Sequence, residues 1–132
     1  MTIILTQYLL YLKYMGLSLF VLMIFAVVYV KVTPVKEITL IREGNIACAL
    51  SFGGAQIGFS ITLASSIMHT MNIPSFLVWS FAAALVQILI FFAGSRLIRD
   101  ASMHLQNNNI AVGALFGSLS LSVGLINAAC LS

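Results

Sequence analysis

Neither the stretch from Gly44 to Ser95 nor that from Ala101 to Ser132 contains a single Asp, Glu, Lys or Arg. Soluble domains carry roughly 25% charged residues to solvate their surfaces. Here 7% of residues are charged and 61% hydrophobic, with mean hydropathy +1.12. A soluble core has no room for that much apolar surface, so the solvent of this chain is lipid. The charges that do occur are clumped. Lys13 stands alone, Lys31, Lys36, Glu37, Arg42 and Glu43 form one group, and Arg96, Arg99 and Asp100 form another. A net charge of +3 so localised is a topology signal, and it excludes nucleic acid as a partner.

Four runs are long enough to cross the hydrocarbon, which takes about 20 residues. They are Tyr14–Val32, Gly44–Met68, Phe76–Leu97 and Ile110–Leu131. Met1–Val30 lacks the basic start and the small-residue cleavage site of a signal peptide, so it reads as a retained helix. Tyr8, Tyr11, Tyr14 and Tyr29 suit an aromatic belt, and Lys13 can snorkel from the same boundary. Thr33–Glu43 reads as a short helix lying in the interface, its apolar side made by Val35, Ile38 and Ile41. Thr33 is its expected N-cap, Pro34 its first helical residue, and Gly44 the left-handed residue that ends it. His69–Ser75 is a turn with Asn72 and Pro74 as breakers. Asp100–Asn108 repeats the connector, with Asp100 as N-cap and Asn108 in the left-handed position.

The connectors belong to an internal repeat. Ile41–Gly58 returns in altered form as Leu105–Ser122, with Asn45 falling on Asn109, Ala47 on Ala111, Phe52 on Phe116 and Gly53 on Gly117. The expected fold is therefore all-α: one integral membrane domain over residues 1–132, with four transmembrane helices arranged as two parallel two-helix repeats. The repeats span about 11–70 and about 76–132. Basic residues crowd the first and third connectors and are missing from the second. The positive-inside rule puts the crowded connectors in the cytoplasm and both termini in the periplasm.

On a helix turning about 100° per residue, Asn45, Ala49, Gly53, Gln56 and Ser60 share one face. So do Asn109, Gly113, Gly117, Ser120, Gly124 and Asn127. Each helix thus carries a stripe of small and polar residues. Packing is one use for it, because small residues four apart let helix backbones touch in lipid. A polar path or cleft lined by Gln56, Ser60, Ser120 and Asn127 is the other. Nothing ionisable stands in the stripes, which argues against a proton relay inside the spans. Asn45 and Asn109 suit N-caps. As a pair at two helix starts, they also suit an anionic headgroup or ligand. His69 and His104 fall on opposite sides and cannot share a metal. Cys48 and Cys130 fall at different depths, too far apart to bridge within the chain. No nucleophile–base pair, phosphate loop or metal-spaced cluster occurs, so no enzyme activity, metal or cofactor is expected.

TPVKEITLIREGNIACALSFGGAQIG with NNNIAVGALFGSLSLSVGLINAACLS resembles the YjfL family (DUF350, UPF0719) of uncharacterised bacterial inner-membrane proteins. The matching residues are Thr33, Pro34, Glu37, Leu40, Ile41, Asn45, Ala47, Ala49, Asn109, Ala111, Gly124, Asn127, Ala128 and Ala129; Cys48 departs from an expected alanine. The resemblance implies a four-helix inner-membrane protein of two repeats. It also implies a gene setting beside membrane-coat stress proteins, and hence a role in envelope maintenance. It brings no catalytic residue. The expected function is a non-enzymatic, homo-oligomeric membrane component of envelope maintenance or stress response. The alternative is a small ion channel or transporter lined by the stripes of the second and fourth helices.

Overall fold

The computed structural model describes residues 2–33, 36–69 and 72–131. Among these residues the chain forms α1 (Thr2–Val32), α2 (Glu37–Arg42), α3 (Ile46–His69), α4 (Ile73–Leu97), α5 (Ala101–Gln106) and α6 (Ile110–Cys130). The fold is all-α, and α1, α3, α4 and α6 are each long and apolar enough to cross a membrane. The four spans are those expected from the sequence, and the two short connector helices are present as well.

The ends differ in instructive ways. α1 starts at Thr2 rather than Tyr14, and its 31 residues extend about 46 Å at 1.5 Å each. Lys13 interrupts the apolar run but not the helix, since lysine is a good helix former. Packing begins where the apolar run begins: Thr2–Lys13 is exposed, whereas Tyr14 meets Phe76 edge-on at 6.3 Å. α4 starts at Ile73, with Asn72 as its cap and Pro74 inside its first turn. The Asn72 side chain accepts from the Ser75 N–H at 2.9 Å. Proline fits there because a first-turn N–H has no helical partner to lose.

At the connectors, Gly44 and Asn108 both adopt the left-handed backbone, with φ of +86° and 59°. Asp100 is also left-handed (φ 57°) and caps no N–H. An N-cap side chain reaches back only from an extended backbone, so the turn that places Asp100 also takes its carboxylate away from the helix. Thr33 is not the N-cap of α2, which begins at Glu37. Pro34 and Val35 lie outside the described residues.

The core has two parts. The first is aromatic. Phe25 of α1 stacks on Phe59 of α3 at 4.2 Å, and Phe91 of α4 stacks near Phe116 of α6 at 5.5 Å. Tyr29 joins the two, edge-on to Phe52 and to Phe91 at 5.8 and 5.9 Å. The second is the seam between α3 and α6, the most intimate helix pair in the chain. There the backbones themselves meet.

Candidate functional site

The seam is built on glycine. A Cβ added at Gly113 would land on the Ala47 backbone, one at Gly117 on the Leu50 carbonyl, and one at Gly124 on the backbone of Gly58. From the other side, a Cβ at Gly54 would strike Gly117, and one at Gly58 the Ser120 carbonyl. The paired positions advance together along both helices, so α3 and α6 run parallel. Backbones this close exclude lipid and water, and the gain is van der Waals contact along the whole interface. Hydroxyls tie it further: Thr62 Oγ1 donates to the Gly124 carbonyl at 3.0 Å and Ser65 Oγ to the Ala128 carbonyl at 2.6 Å. From α4, Gln87 Nε2 donates to the Ser120 carbonyl at 3.4 Å.

Gly113, Gly117, Ser120 and Gly124 of the α6 stripe are therefore all buried in the seam. Asn127, at the far end, is half-buried and its Nδ2 makes no hydrogen bond. The α3 stripe is placed differently. α3 faces α6 with Ala47, Ser51, Gly54, Gly58 and Thr62, roughly half a turn round the helix from Asn45. Ala49 is exposed, and a side chain at Gly53 would meet nothing within 4 Å. Gln56 is half-buried with Nε2 unbonded, while Ser60 Oγ turns back to the Gln56 carbonyl at 2.7 Å. The two stripes do not face each other, and the space between α3 and α6 is filled by backbone.

The Asn corners do come together, on the connector side of the molecule. Asn45 Oδ1 accepts the Cys48 N–H at 2.9 Å, as an N-cap should. Its amide nitrogen donates to two carbonyls ending α5, Leu105 at 2.8 Å and Gln106 at 3.2 Å. Asn108 completes the clasp, its Oδ1 accepting the Ala47 N–H at 3.0 Å. Four terminal N–H groups and four terminal C=O groups of any helix lack internal partners. Here the orphan donors of α3 and the orphan acceptors of α5 satisfy each other through two asparagines. The Cys48 thiol adds a contact to the Leu105 carbonyl at 3.4 Å. Asn109 caps α6 more loosely, accepting from Val112 N at 3.4 Å, with its amide 3.3 Å from His104 Nδ1. Both ends of the Asn45 amide are engaged within the protein, leaving neither for an anion.

Sequence reasoning missed Gln87, Thr62 and the Asn108 side chain. Gln87 and Thr62 are fully buried, and a lone Gln in an otherwise apolar third span was the available signal. Asn108 was read for its backbone alone. His69 and His104 sit at opposite ends of the bundle, His69 beside Trp79 and Cys130. Cys48 is buried and Cys130 exposed, both as free thiols. Among the described residues no three His, Cys, Asp or Glu side chains gather as a metal site would require.

These features can be set beside known proteins. The Domain of Unknown Function (DUF350) family matches residues 3–131. The UPF0719 inner membrane protein YjfL of Escherichia coli K12 is 36% identical over 120 residues, covering 90% of each chain. The UPF0719 transmembrane protein YshE of Bacillus subtilis 168 is 31% identical over 116 residues, 85% of this chain and 84% of its own. No solved structure matches. With a match running nearly end to end, this four-helix membrane protein belongs to the DUF350 family.

Proposed function

We propose that the chain is a non-enzymatic component of the bacterial inner membrane that works as a homo-oligomer in envelope maintenance or stress response, with a membrane-coat stress protein as its partner. The envelope role and that partner rest on the gene setting that the sequence resemblance implies. The oligomer rests on one observation, the open stripe of α3. Within the chain, the stripe of α6 docks on the α3 face that carries Gly54 and Gly58. On the reading that α1–α3 and α4–α6 are two copies of one unit, the equivalent face of α6 carries Ser118 and Ser122, both exposed to the surroundings. The chain therefore presents a free stripe on α3 and a free receiving face on α6. One copy's Ala49, Gly53 and Gln56 fit against the next copy's Ser118 and Ser122. This contact is head-to-tail, and such contacts close into rings or extend.

Gly53→Leu and Ser118→Leu place bulk on faces that nothing in the chain occupies, so both variants fold. The expected result is an oligomeric native protein in mild detergent and a mass that falls toward the monomer in each variant. A monodisperse native monomer by light scattering overturns the reading. The connector helices α2 and α5 share one side of the bundle, since Asn45 reaches Leu105. Lys31, Lys36, Arg42, Arg96 and Arg99 all belong to that side, which supports its facing the cytoplasm. The termini then face the periplasm, and a reporter fused after Ser132 that is active only in the cytoplasm should stay silent.

A further inference from the structure

Glu37 opens α2 and reads in the sequence as one more solvated connector charge. It is instead 1% exposed. No ion pair reaches it among the described residues, and its Oε2 has no hydrogen-bond partner. An isolated ionised carboxylate in such a place is costly, and the usual escape is to hold a proton.

The hydrogen bonds around it count the proton. Thr33 Oγ1 lies 2.9 Å from the Tyr29 carbonyl and 3.0 Å from Glu37 Oε1. A threonine hydroxyl carries one hydrogen. With Glu37 ionised, both neighbours are acceptors and the hydroxyl can serve only one, although the Tyr29 carbonyl keeps the Thr33 N–H at 3.0 Å either way. With Glu37 protonated, Oε1–H donates to Thr33 Oγ1, Thr33 donates to the Tyr29 carbonyl, and both short contacts become hydrogen bonds at once. Close to this chain the buried hydroxyls of Tyr29 from α1 and Ser51 from α3 face each other. The ionisable groups facing Glu37 are the Tyr29 hydroxyl from α1 and the Cys48 thiol from α3; no cation is among them.

We propose that Glu37, Thr33 and the Tyr29 carbonyl form a proton-binding site that seats α2 against the ends of α1 and α3. The bound proton keeps the connector helix docked, and its loss places an unpaired charge under α2 and loosens it. Burial pushes the Glu37 carboxyl up to about 7, against a smaller opposing effect of the Thr33 hydroxyl. The folded pKa is raised, so the site's contribution to stability is full below the ordinary glutamate range. It declines as pH rises and is lost once pH passes about 7. On the orientation proposed above this side of the bundle faces the cytoplasm, and the site responds in the neutral range.

Glu37→Gln supplies the test, because a glutamine amide donates to Thr33 as the neutral acid does and cannot ionise. In a Cys130→Ser background, alkylation of Cys48, which lies near Glu37 and against the end of α5, reports opening on this side of the bundle, and the Glu37→Gln chain corrects for the thiol's own pH dependence and for movement of α5. Between pH 5 and pH 7.5 the native-to-variant rate ratio should rise on the order of fiftyfold. Infrared difference spectra of the same pair should show a protonated carboxylic-acid band in the native protein at pH 6 that the variant lacks. A flat rate ratio, or an ionised Glu37 at pH 6, overturns the proposal.

Discussion

Gly113→Ala should lower the stability of the folded chain by ~1–3 kcal/mol, the usual cost of forcing one methyl into a filled core. Gly53→Ala should leave stability unchanged or raise it, because alanine is the better helix former by ~0.5–1 kcal/mol. Gly113 stands one place beyond Asn109 in its stripe and Gly53 two places beyond Asn45 in the matching one, yet their surroundings are opposite. A Cβ at Gly113 meets the Cα and carbonyl of Ala47, whereas one at Gly53 meets open space. The Ala47 backbone cannot turn aside as a side chain could, so the helices must separate and lose contact along the seam. Gly54, Gly117 and Gly124 should behave as Gly113 does. Thermal unfolding in detergent, followed by helix content, measures all of these. Equal effects at Gly53 and Gly113 would show that the seam does not run where described.

The second large effect is expected at Asn45. Asn45→Ala removes the cap of α3, worth ~1 kcal/mol. It also strips the amide donor from the carbonyls of Leu105 and Gln106; Leu105 keeps the Asn108 N–H at 3.2 Å and the Cys48 thiol at 3.4 Å, so the further loss is that of ordinary hydrogen bonds, ~1 kcal/mol. The total is about twice what a cap alone supplies. Asn45→Asp separates the two roles. A carboxylate still accepts the Cys48 N–H, but it offers no donor and brings charge against two carbonyl oxygens. The aspartate variant should therefore be as unstable as the alanine variant above the carboxylate range. If it melts with the native protein, Asn45 is only a cap, and α5 is held by other contacts.

These expectations show where the sequence was readable. Lipid admits only helices and closed barrels as spanning backbone, so long charge-free apolar runs were enough to count the spans and to place α3 and α6. Positive φ excludes most side chains, so Gly44 and Asn108 announced their corners. Asn45 before an apolar run announced a cap. The face of α3 was a different problem. That helix carries two sets of small residues, Ala49–Gly53–Ser60 and Ser51–Gly54–Gly58, on opposite sides. Periodicity finds both and ranks neither; only the position of α6 decides which one is filled. α6 carries its glycines on one side, and there the stripe and the seam coincide. Glu37 was misjudged for a related reason. A glutamate in an amphipathic connector reads as solvated, and its burial depends on where Thr33 and the helix α3 come to rest.

The sequence by itself determined that this protein lives in lipid, how many times it crosses, and that Asn45 and Asn109 cap α3 and α6. All of these follow from the solvent and from backbone sterics, which act on neighbouring residues. The tertiary structure alone decided which glycines touch, that Asn45 reaches across to α5, and that one carboxyl is sealed inside. Those depend on the meeting of segments far apart in the chain, and no local pattern encodes the angle at which two helices meet.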